Sequence, residues 1–212
     1  MTRNNHVKAY YNRGYAYADL ERYEEAIADY DKAIEINPKY SKAYNNRGNA
    51  YAKLERYEEA IADFGKAIEI NTGFVEAYYN RGTAYDELER YEEAIADYDK
   101  AVEINPDDAE AYYNRGKAYY DLKEYEKAIA DYDKAVEINS DDSELPTHIG
   151  NLLYDKNNYE TALKYINEAI RRNPKYIEAY EIRIKIYNET GQHDKAKEDE
   201  ETIRKLKEEN KS

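Results

Sequence analysis

The hexapeptide Ala9-Tyr10-Tyr11-Asn12-Arg13-Gly14 decides the fold, because near-identical copies of it return at a fixed spacing of 34 residues. The three further copies begin at Ala43, Ala77 and Ala111, and the first of these carries Asn45 in place of the second tyrosine. The period divides the chain into six units, namely residues 7–40, 41–74, 75–108, 109–142, 143–176 and 177–210. A period of this length is typical of architectures in which one supersecondary unit stacks on the next. We therefore expect residues 1–212 to form a single array of repeats.

Within each unit the apolar pattern predicts two helices. In the first unit, Tyr10, Gly14 and Tyr17 fall on one helical face, and a second helical stripe runs through residues 23–34. The polar stretch between them is short, which is typical of antiparallel neighbours. Pro38 ends the second helix, because proline lacks the amide hydrogen and crowds the preceding turn. A lone hairpin of this kind cannot bury its apolar face, whereas stacked copies can.

The composition excludes several classes of protein. Charged residues make up 37% of the 212 residues and hydrophobic residues 42%, a mixture suited to helices that each bury one stripe. Cysteine is absent, which excludes disulfides and thiolate chemistry. No stretch approaches about 18 uncharged apolar residues, and residues 1–6 lack the apolar core of a signal peptide, so we expect a cytoplasmic protein. The net charge of −14 disfavours nucleic acid and anionic membranes as partners and mildly favours a basic partner.

The pattern resembles the tetratricopeptide repeat over nearly the whole chain. In the first unit, the residues that match this family's signature are Tyr10, Gly14, Tyr17, Ala26, Tyr30, Ala33 and Pro38. The resemblance implies an all-α fold, a right-handed α-α superhelix of six helical hairpins whose first helices line a concave face. It also implies a scaffold or adaptor that binds an extended peptide or a partner segment on that face.

Two units depart from the family pattern. The fifth has Pro146 in place of an aromatic residue, at a position early enough in the helix to be tolerated. The sixth has Ile184 in place of glycine, and its second helix is the polar run of residues 196–208. Because an end repeat must present a polar face to water, we expect the sixth unit to cap the array.

A comparison between units supports a ligand groove along the first helices. The first and third units are identical at 27 of 34 positions. Four of the differences fall on one face of the first helix, at Lys8/Glu76, Tyr15/Thr83, Ala18/Asp86 and Asp19/Glu87. The exposed charged residues of the second helix are unchanged between these units. Variation therefore concentrates on the face that the family uses for ligands.

An asparagine recurs on that face as Asn12, Asn46, Asn80 and Asn114. The row resembles the asparagine ladder in the repeat domain of O-linked N-acetylglucosamine transferase, where the amides hold the substrate backbone. An amide side chain offers a donor and an acceptor, which match those of a peptide unit. The neighbours expected to confer specificity are Tyr11, Tyr15, Asn49, Tyr79, Thr83, Tyr113, Lys117 and Tyr120. The alternative is that the asparagines bond across adjacent hairpins and serve stacking alone.

An arginine occupies a position where the family has leucine. It appears as Arg13, Arg47, Arg81, Arg115 and Arg183, and each is followed sixteen residues later by an aspartate. The fifth unit loses both residues together, as Ile149 and Tyr165. Because a charge among packing residues needs a partner, we predict that each arginine pairs with such an aspartate, within its hairpin or across to a neighbour.

The sequence contains no recognisable motif for catalysis or metal binding. His6, His148 and His193 share no spacing and have no cysteine partners, and no glycine-rich phosphate loop occurs. We therefore expect no enzymatic activity, no cofactor and no metal ion. Two alternatives to the adaptor stay open. One is a self-associating structural module that forms a homo-oligomer through its terminal repeats, and the other is an engineered consensus scaffold, against which the irregular fifth unit argues.

Overall fold

The computed structural model describes residues 3–209, and over these residues it contains twelve α-helices and no strand. The helices are α1 (Arg3–Asp19), α2 (Tyr23–Ile36), α3 (Ser41–Lys53), α4 (Tyr57–Ile70), α5 (Val75–Glu87), α6 (Tyr91–Ile104), α7 (Ala109–Asp121), α8 (Tyr125–Ile138), α9 (Glu144–Asp155), α10 (Tyr159–Arg172), α11 (Ile177–Glu189) and α12 (His193–Glu209). Consecutive helices pair into six hairpins, which confirms the expected all-α class. The chain divides into two compact units with the boundary between Ala135 and Val136, inside α8. They are called the N-terminal unit and the C-terminal unit below, and each contains several hairpins. Within residues 3–209, every helix is too short or too polar to cross a membrane.

The second helices of the N-terminal unit share their boundaries. Helices α2, α4 and α6 each begin at a tyrosine, carry two glutamates in the first turn and end at an isoleucine. The glutamates lie where the helix dipole favours negative charge. Past the end of α2, the Oδ1 atom of Asn37 accepts a hydrogen bond from the amide of Lys39 (3.2 Å), which turns the chain toward α3. The predicted end of the helix before Pro38 is therefore confirmed.

Each hairpin turns through one residue in the left-handed conformation. In the first three hairpins this residue is Glu21, Glu55 or Glu89, with φ between 57° and 59°. A residue with a Cβ atom pays about 1–2 kcal/mol for this conformation. The sixth hairpin uses Gly191 at φ 73°, where that cost is absent.

The recurring glycine of the first helix faces an aromatic ring of the second helix. A Cβ atom added to Gly14 would lie 2.9 Å from the ring of Tyr30, and one added to Gly48 would lie 2.7 Å from the ring of Phe64. Distances below 3 Å are closer than real Cβ contacts allow. The glycine is thus retained because any side chain would push the two helices of the hairpin apart.

Small residues also join each hairpin of the N-terminal unit to the next. Ala33 at the end of α2 packs against Ala43 at the start of α3, and the aromatic side chains around them complete the cluster. The same arrangement returns between α4 and α5 with Ala67 and Ala77. Burying these apolar faces against a neighbour supplies the main stabilisation of a stacked array.

The predicted arginine–aspartate pairs are confirmed in five of the hairpins. Each guanidinium donates through Nε and Nη2 to the two carboxylate oxygens of the aspartate sixteen residues later, at 2.5–2.7 Å. The pairs are Arg13–Asp29, Arg47–Asp63, Arg81–Asp97, Arg115–Asp131 and Arg183–Asp199. The aspartates are buried, so this bidentate geometry compensates for the loss of their hydration.

Three of these arginines, Arg47, Arg115 and Arg183, also reach back to the preceding hairpin through Nη1. Arg115 donates to Asp99 at 2.6 Å, and Arg47 forms the equivalent bond with Asp31. The residue at this position before Arg81 is Gly65, which offers no side-chain acceptor. Arg47, Arg115 and Arg183 therefore each join three helices, whereas the corresponding bridge is missing between α4 and α5.

The C-terminal unit replaces one ion pair with apolar packing and ends in a polar helix. Ile149 and Tyr165, which stand in for the arginine and the aspartate, are both buried. Pro146 is accommodated in the first turn of α9, as expected. In α12 only Ala196 and Asp199 are buried, which agrees with the capping role expected for the sixth unit.

One arginine of the C-terminal unit has a role that the sequence analysis missed. The guanidinium of Arg172, at the end of α10, donates to the backbone carbonyls of Val136, Asn139 and Asp142 at 2.6–3.0 Å. Its Nε also donates to Glu168 at 2.8 Å. The residue thus supplies donors to one carbonyl in the last turn of α8, where a helix lacks internal partners, and to two carbonyls of the chain that follows it.

Candidate functional site

Three neighbouring clefts open on the first helices of the N-terminal unit, and Asn49 of α3 lines all of them. Their volumes are about 430, 330 and 210 Å³. The largest, cleft A, lies between the second and third hairpins and is lined by Asn49, Ala52, Lys53, Tyr57, Phe64, Tyr79, Asn80, Thr83, Ala84 and Glu87. Cleft B is lined by Asn45, Asn49, Val75, Glu76, Tyr79, Asn80, Asp108 and Glu110. Cleft C is lined by Tyr15, Ala18, Asp19, Tyr23, Tyr30, Asn46, Asn49, Ala50 and Lys53.

Clefts A and C are equivalent sites displaced by one repeat. Every residue that lines cleft C has its counterpart 34 positions later in the lining of cleft A. Each cleft is lined by a buried ring, Tyr30 or Phe64, and by the asparagine of the next first helix. The adjacent first helices contact each other, so the clefts follow one another along a continuous face. This face can accommodate successive side chains of an extended ligand.

The asparagine row is bonded between hairpins through its amide nitrogens. Asn46 donates from Nδ2 to the hydroxyl of Tyr11 (3.0 Å), and Asn114 donates to the hydroxyl of Tyr79 (2.8 Å). Asn80 donates to Oδ1 of Asn45, which replaces tyrosine in the second hairpin (3.2 Å). These are the cross-hairpin bonds of the stacking alternative. The Oδ1 atoms of Asn80 and Asn114 accept no hydrogen bond from any residue of the described part, so an acceptor remains on each amide.

Tyr79 links three neighbouring groups at the centre of this face. Its hydroxyl donates to Glu110 at 2.6 Å and accepts the hydrogen bond from Asn114. Its ring packs on Tyr98, with the centroids 6.0 Å apart. Burial and the hydrogen bond to Glu110 raise the pKa of Tyr79 above its ordinary value. The hydroxyl is therefore a neutral donor fixed in place between α5 and α7.

The other predicted residues differ in how far they are available to a ligand. Tyr15 is exposed at 53% and lines cleft C. Asn12 is exposed, and Tyr113 is half-buried with its ring on Tyr132. Tyr120 is buried, and its ring packs edge-on against Tyr125 at 4.8 Å, which withdraws it from the clefts.

Lys117 is engaged in an ion pair between first helices. Its ammonium lies 2.6 Å from a carboxylate oxygen of Asp86, which is buried. Burial alone would lower the pKa of Lys117, but the hydrogen bond and the charge of Asp86, together with the carboxylates of Glu87 and Asp121, outweigh burial and raise the pKa. The pair occupies the place that corresponds, one repeat earlier, to the open cleft A.

Several lining residues were missed in the sequence. Lys53, Tyr57 and Glu87 line cleft A but were not among the predicted ligand contacts. A signal was available, because Lys53 and Glu87 are the counterparts of Asp19, a position already identified as variable. Tyr57 begins a second helix, and its contribution follows only from the packing of the hairpin.

Comparisons with known families and structures agree with this architecture. Models described as tetratricopeptide repeat match residues 7–40, 41–73 and 109–142, residues 64–96, and residues 148–204. A model described as TPR repeat matches residues 84–123. No curated protein matches the chain.

Solved structures show the same fold over most of the chain. The structure of the MamA protein is 26% identical with a TM-score of 0.71, and the match covers 81% of this chain and 94% of that one. YrrB, described as a TPR protein with an unusual peptide-binding site, is 28% identical with a TM-score of 0.64, over 82% of this chain and 90% of that one. A tetratricopeptide repeat protein from Parabacteroides merdae, 24% identical with a TM-score of 0.74, covers 95% of this chain, and the match covers 80% of that protein.

Proposed function

Because the chain belongs to the tetratricopeptide-repeat family, we propose that it is a protein-interaction scaffold that binds an extended peptide segment along clefts A to C. The observation that carries the proposal is the continuous line of clefts on adjacent first helices, with amide oxygens left open beside them. A peptide backbone supplies N–H donors that match those oxygens. YrrB, a relative of similar length, is itself described as having a peptide-binding site.

The pattern of variation supports the same face. Three of the four first-helix differences between the first and third units, those at Tyr15, Ala18 and Asp19, fall on residues that line cleft C. The second helices of these units keep the same exposed charges. Contacts through the backbone would hold a segment without reading its sequence, and the varied side chains would add the selectivity.

Two matched variants of the second hairpin test the proposal. Asn49→Trp places a large ring where the three clefts meet, whereas Ala62→Trp places the same ring on the exposed face of α4. We expect proteins captured from a cell extract by the unmodified chain to be retained by Ala62→Trp and lost by Asn49→Trp. Circular dichroism checks that both variants stay helical. Equal capture by both would contradict the assignment of this face.

The self-associating module is favoured by a separate observation on the first hairpin. Ala9 and Ala16 are exposed, although their counterparts in the second hairpin, Ala43 and Ala50, are buried. The side chain of Arg13 is 58% exposed, while Arg47 is 18% exposed. The first hairpin therefore exposes the same residue types that the second hairpin buries. Sedimentation equilibrium decides the matter, since a monomer at all concentrations would exclude self-association and a dimer that Ala16→Glu dissociates would support it.

A further inference from the structure

The edge where the first helices of the N-terminal unit begin carries charges whose sign reverses along the array. We call this the polarised edge. It comprises the exposed ends of α1, α3, α5 and α7 and the loops before α3 and α7. Its cations are Lys8, Lys39 and Lys42, in the first two hairpins, and its anions are Glu76, Asp107, Asp108 and Glu110, in the next two. The same repeat position is thus lysine in one half and a carboxylate in the other.

The charges of the polarised edge are largely unpaired. Lys8, Lys39, Lys42, Glu76 and Asp107 form no ion pair with any residue that the structure describes. On the second helices, by contrast, charges are neutralised locally by pairs three residues apart, namely Arg22–Glu25, Lys32–Glu35, Arg56–Glu59, Lys66–Glu69, Arg90–Glu93 and Lys100–Glu103. The unpaired side chains of the polarised edge are therefore available to charged groups of a ligand.

The acidic half of the edge reaches into the clefts. Glu76, Asp108 and Glu110 line cleft B together with Asn45, and no cation lines that cleft. In the second hairpin, Asn45 replaces the tyrosine ring that occupies this position in the first and third. A concave site lined by one sign of charge concentrates ions of the opposite sign. A basic side chain is the group that this cleft fits.

We propose that the polarised edge orients a bound extended peptide whose acidic half lies on α1 and α3 and whose basic half lies on α5 and α7. This inference rests on the proposed function and specifies its ligand. The total charge of −14 by itself favours a uniformly basic partner. Such a partner would face Lys8, Lys39 and Lys42 at one end, where like charges repel, so a segment with segregated charges fits better.

The dimensions suit a short segment. Adjacent helices lie roughly 8–10 Å apart when packed, so the four first helices span about 25–30 Å. An extended chain advances about 3.3 Å per residue, and about nine residues cover that length. A sign change between α3 and α5 then falls near the middle of the segment.

The test uses a displayed library of random peptides of about 12 residues, a length that exceeds the required span. The edge-swapped variant carries Lys8→Glu, Lys42→Glu, Glu76→Lys and Asp107→Lys, which leaves the net charge unchanged. The control variant exchanges Arg22 with Glu25 and Arg90 with Glu93, which preserves both pairs on the second helices.

We expect the unmodified chain to enrich peptides with acids in one half and bases in the other, in one order from N- to C-terminus. The edge-swapped variant should no longer enrich that order, because its substitutions remove the excess of cations from one half of the edge and the excess of anions from the other. The control variant should still enrich the original order. A synthesised peptide from the first selection should bind the edge-swapped variant roughly tenfold or more weakly, as four exposed ion pairs together allow. Raising the ionic strength from about 0.01 to about 1 M, which shortens the Debye length from about 30 to about 3 Å, should abolish most of that difference.

Other outcomes overturn the inference. Peptides of a single charge sign, or the same order on both proteins, would show that the edge does not orient the ligand. If selected peptides have no charge order and yet fail to bind Asn49→Trp, the proposed function stands and the polarised edge fails. If the unmodified chain enriches nothing over Asn49→Trp, both fail.

Discussion

Replacing Gly65 with aspartate should restore the one missing bridge between hairpins of the N-terminal unit. Arg47 and Arg115 each bind an aspartate of the preceding hairpin through Nη1, whereas Arg81 has only its own Asp97. A Cβ atom at Gly65 would lie 3.5 Å from Nη1 of Arg81, which is ordinary van der Waals contact. A carboxylate attached there has both the room and the direction to accept the bond.

The expected gain is the sum of two small effects. Gly65 lies inside α4, and replacing glycine with aspartate in a helix interior gains about 0.3 kcal/mol. The counterpart carboxylate of Asp99 is about half exposed, so the new ion pair is worth about 0.5–1 kcal/mol after screening by solvent. We expect Gly65→Asp to raise the free energy of unfolding by about 1 kcal/mol. The mirror change, Asp99→Gly, should lower it by about the same amount.

Urea unfolding monitored by circular dichroism measures both variants, because urea leaves the ionic strength unchanged. Gly65→Ala is the control, since it gains about 1 kcal/mol of helix propensity and adds no charge. In about 1 M sodium chloride the gain of Gly65→Asp should fall to about 0.3 kcal/mol, while that of Gly65→Ala should hold. If Gly65→Asp stabilised the chain equally at low and high salt, or destabilised it, the proposed bridge to Arg81 would be refuted.

Three further changes test other contacts. The double variant Asn80→Ala, Asn114→Ala should bind a selected peptide more than tenfold more weakly. It should also lose about 1–3 kcal/mol of stability, because two cross-hairpin hydrogen bonds are lost. Calorimetric titration measures the first effect and urea unfolding the second, and normal binding would exclude a ligand role for these asparagines. Glu55→Gly should raise the free energy of unfolding by about 0.5–1 kcal/mol, since relief of left-handed strain exceeds the added chain entropy; a loss measured in urea would contradict this. Arg172→Met should destabilise the C-terminal unit by about 2–3 kcal/mol, because three backbone carbonyls lose the guanidinium that donates to them. The loss would be measured as faster hydrogen exchange of residues in α9 and α10, and unchanged exchange would disprove that role.

The helices and the ion pairs could be predicted because the chain contains its own comparisons. A hydrophobic period of 3.6 residues inside a repeat of 34 leaves little freedom in where helices begin and end. The partner of each arginine was identifiable because the fifth unit loses both members, as Ile149 and Tyr165. The second partner, at Asp31 or Asp99, was not identified, because its loss at Gly65 leaves the arginine in place.

The details of the candidate site could not be predicted, because they depend on side-chain contacts between hairpins, which the repeat pattern does not specify. The asparagine row could bind a ligand or bond across hairpins, and the sequence could not distinguish these roles because both need the same amide. The structure shows that the Nδ2 amide of Asn46 donates to the hydroxyl of Tyr11. Tyr120 was placed on the ligand face by its position in the repeat. Its counterparts are the smaller Ala18, Ala52 and Asp86, and only the tyrosine side chain is large enough to reach Tyr125.

The double pairing of the arginines has a consequence for how the array can change in length. Arg47 and Arg115 each bind one aspartate sixteen residues ahead in the chain and another sixteen residues behind. Insertion or deletion of one whole repeat between such units therefore recreates every bridge at the new junction. A gain or loss that is not a whole number of repeats displaces the aspartates from the guanidinium. These ion pairs therefore allow the number of repeats to change but require each repeat to keep its length.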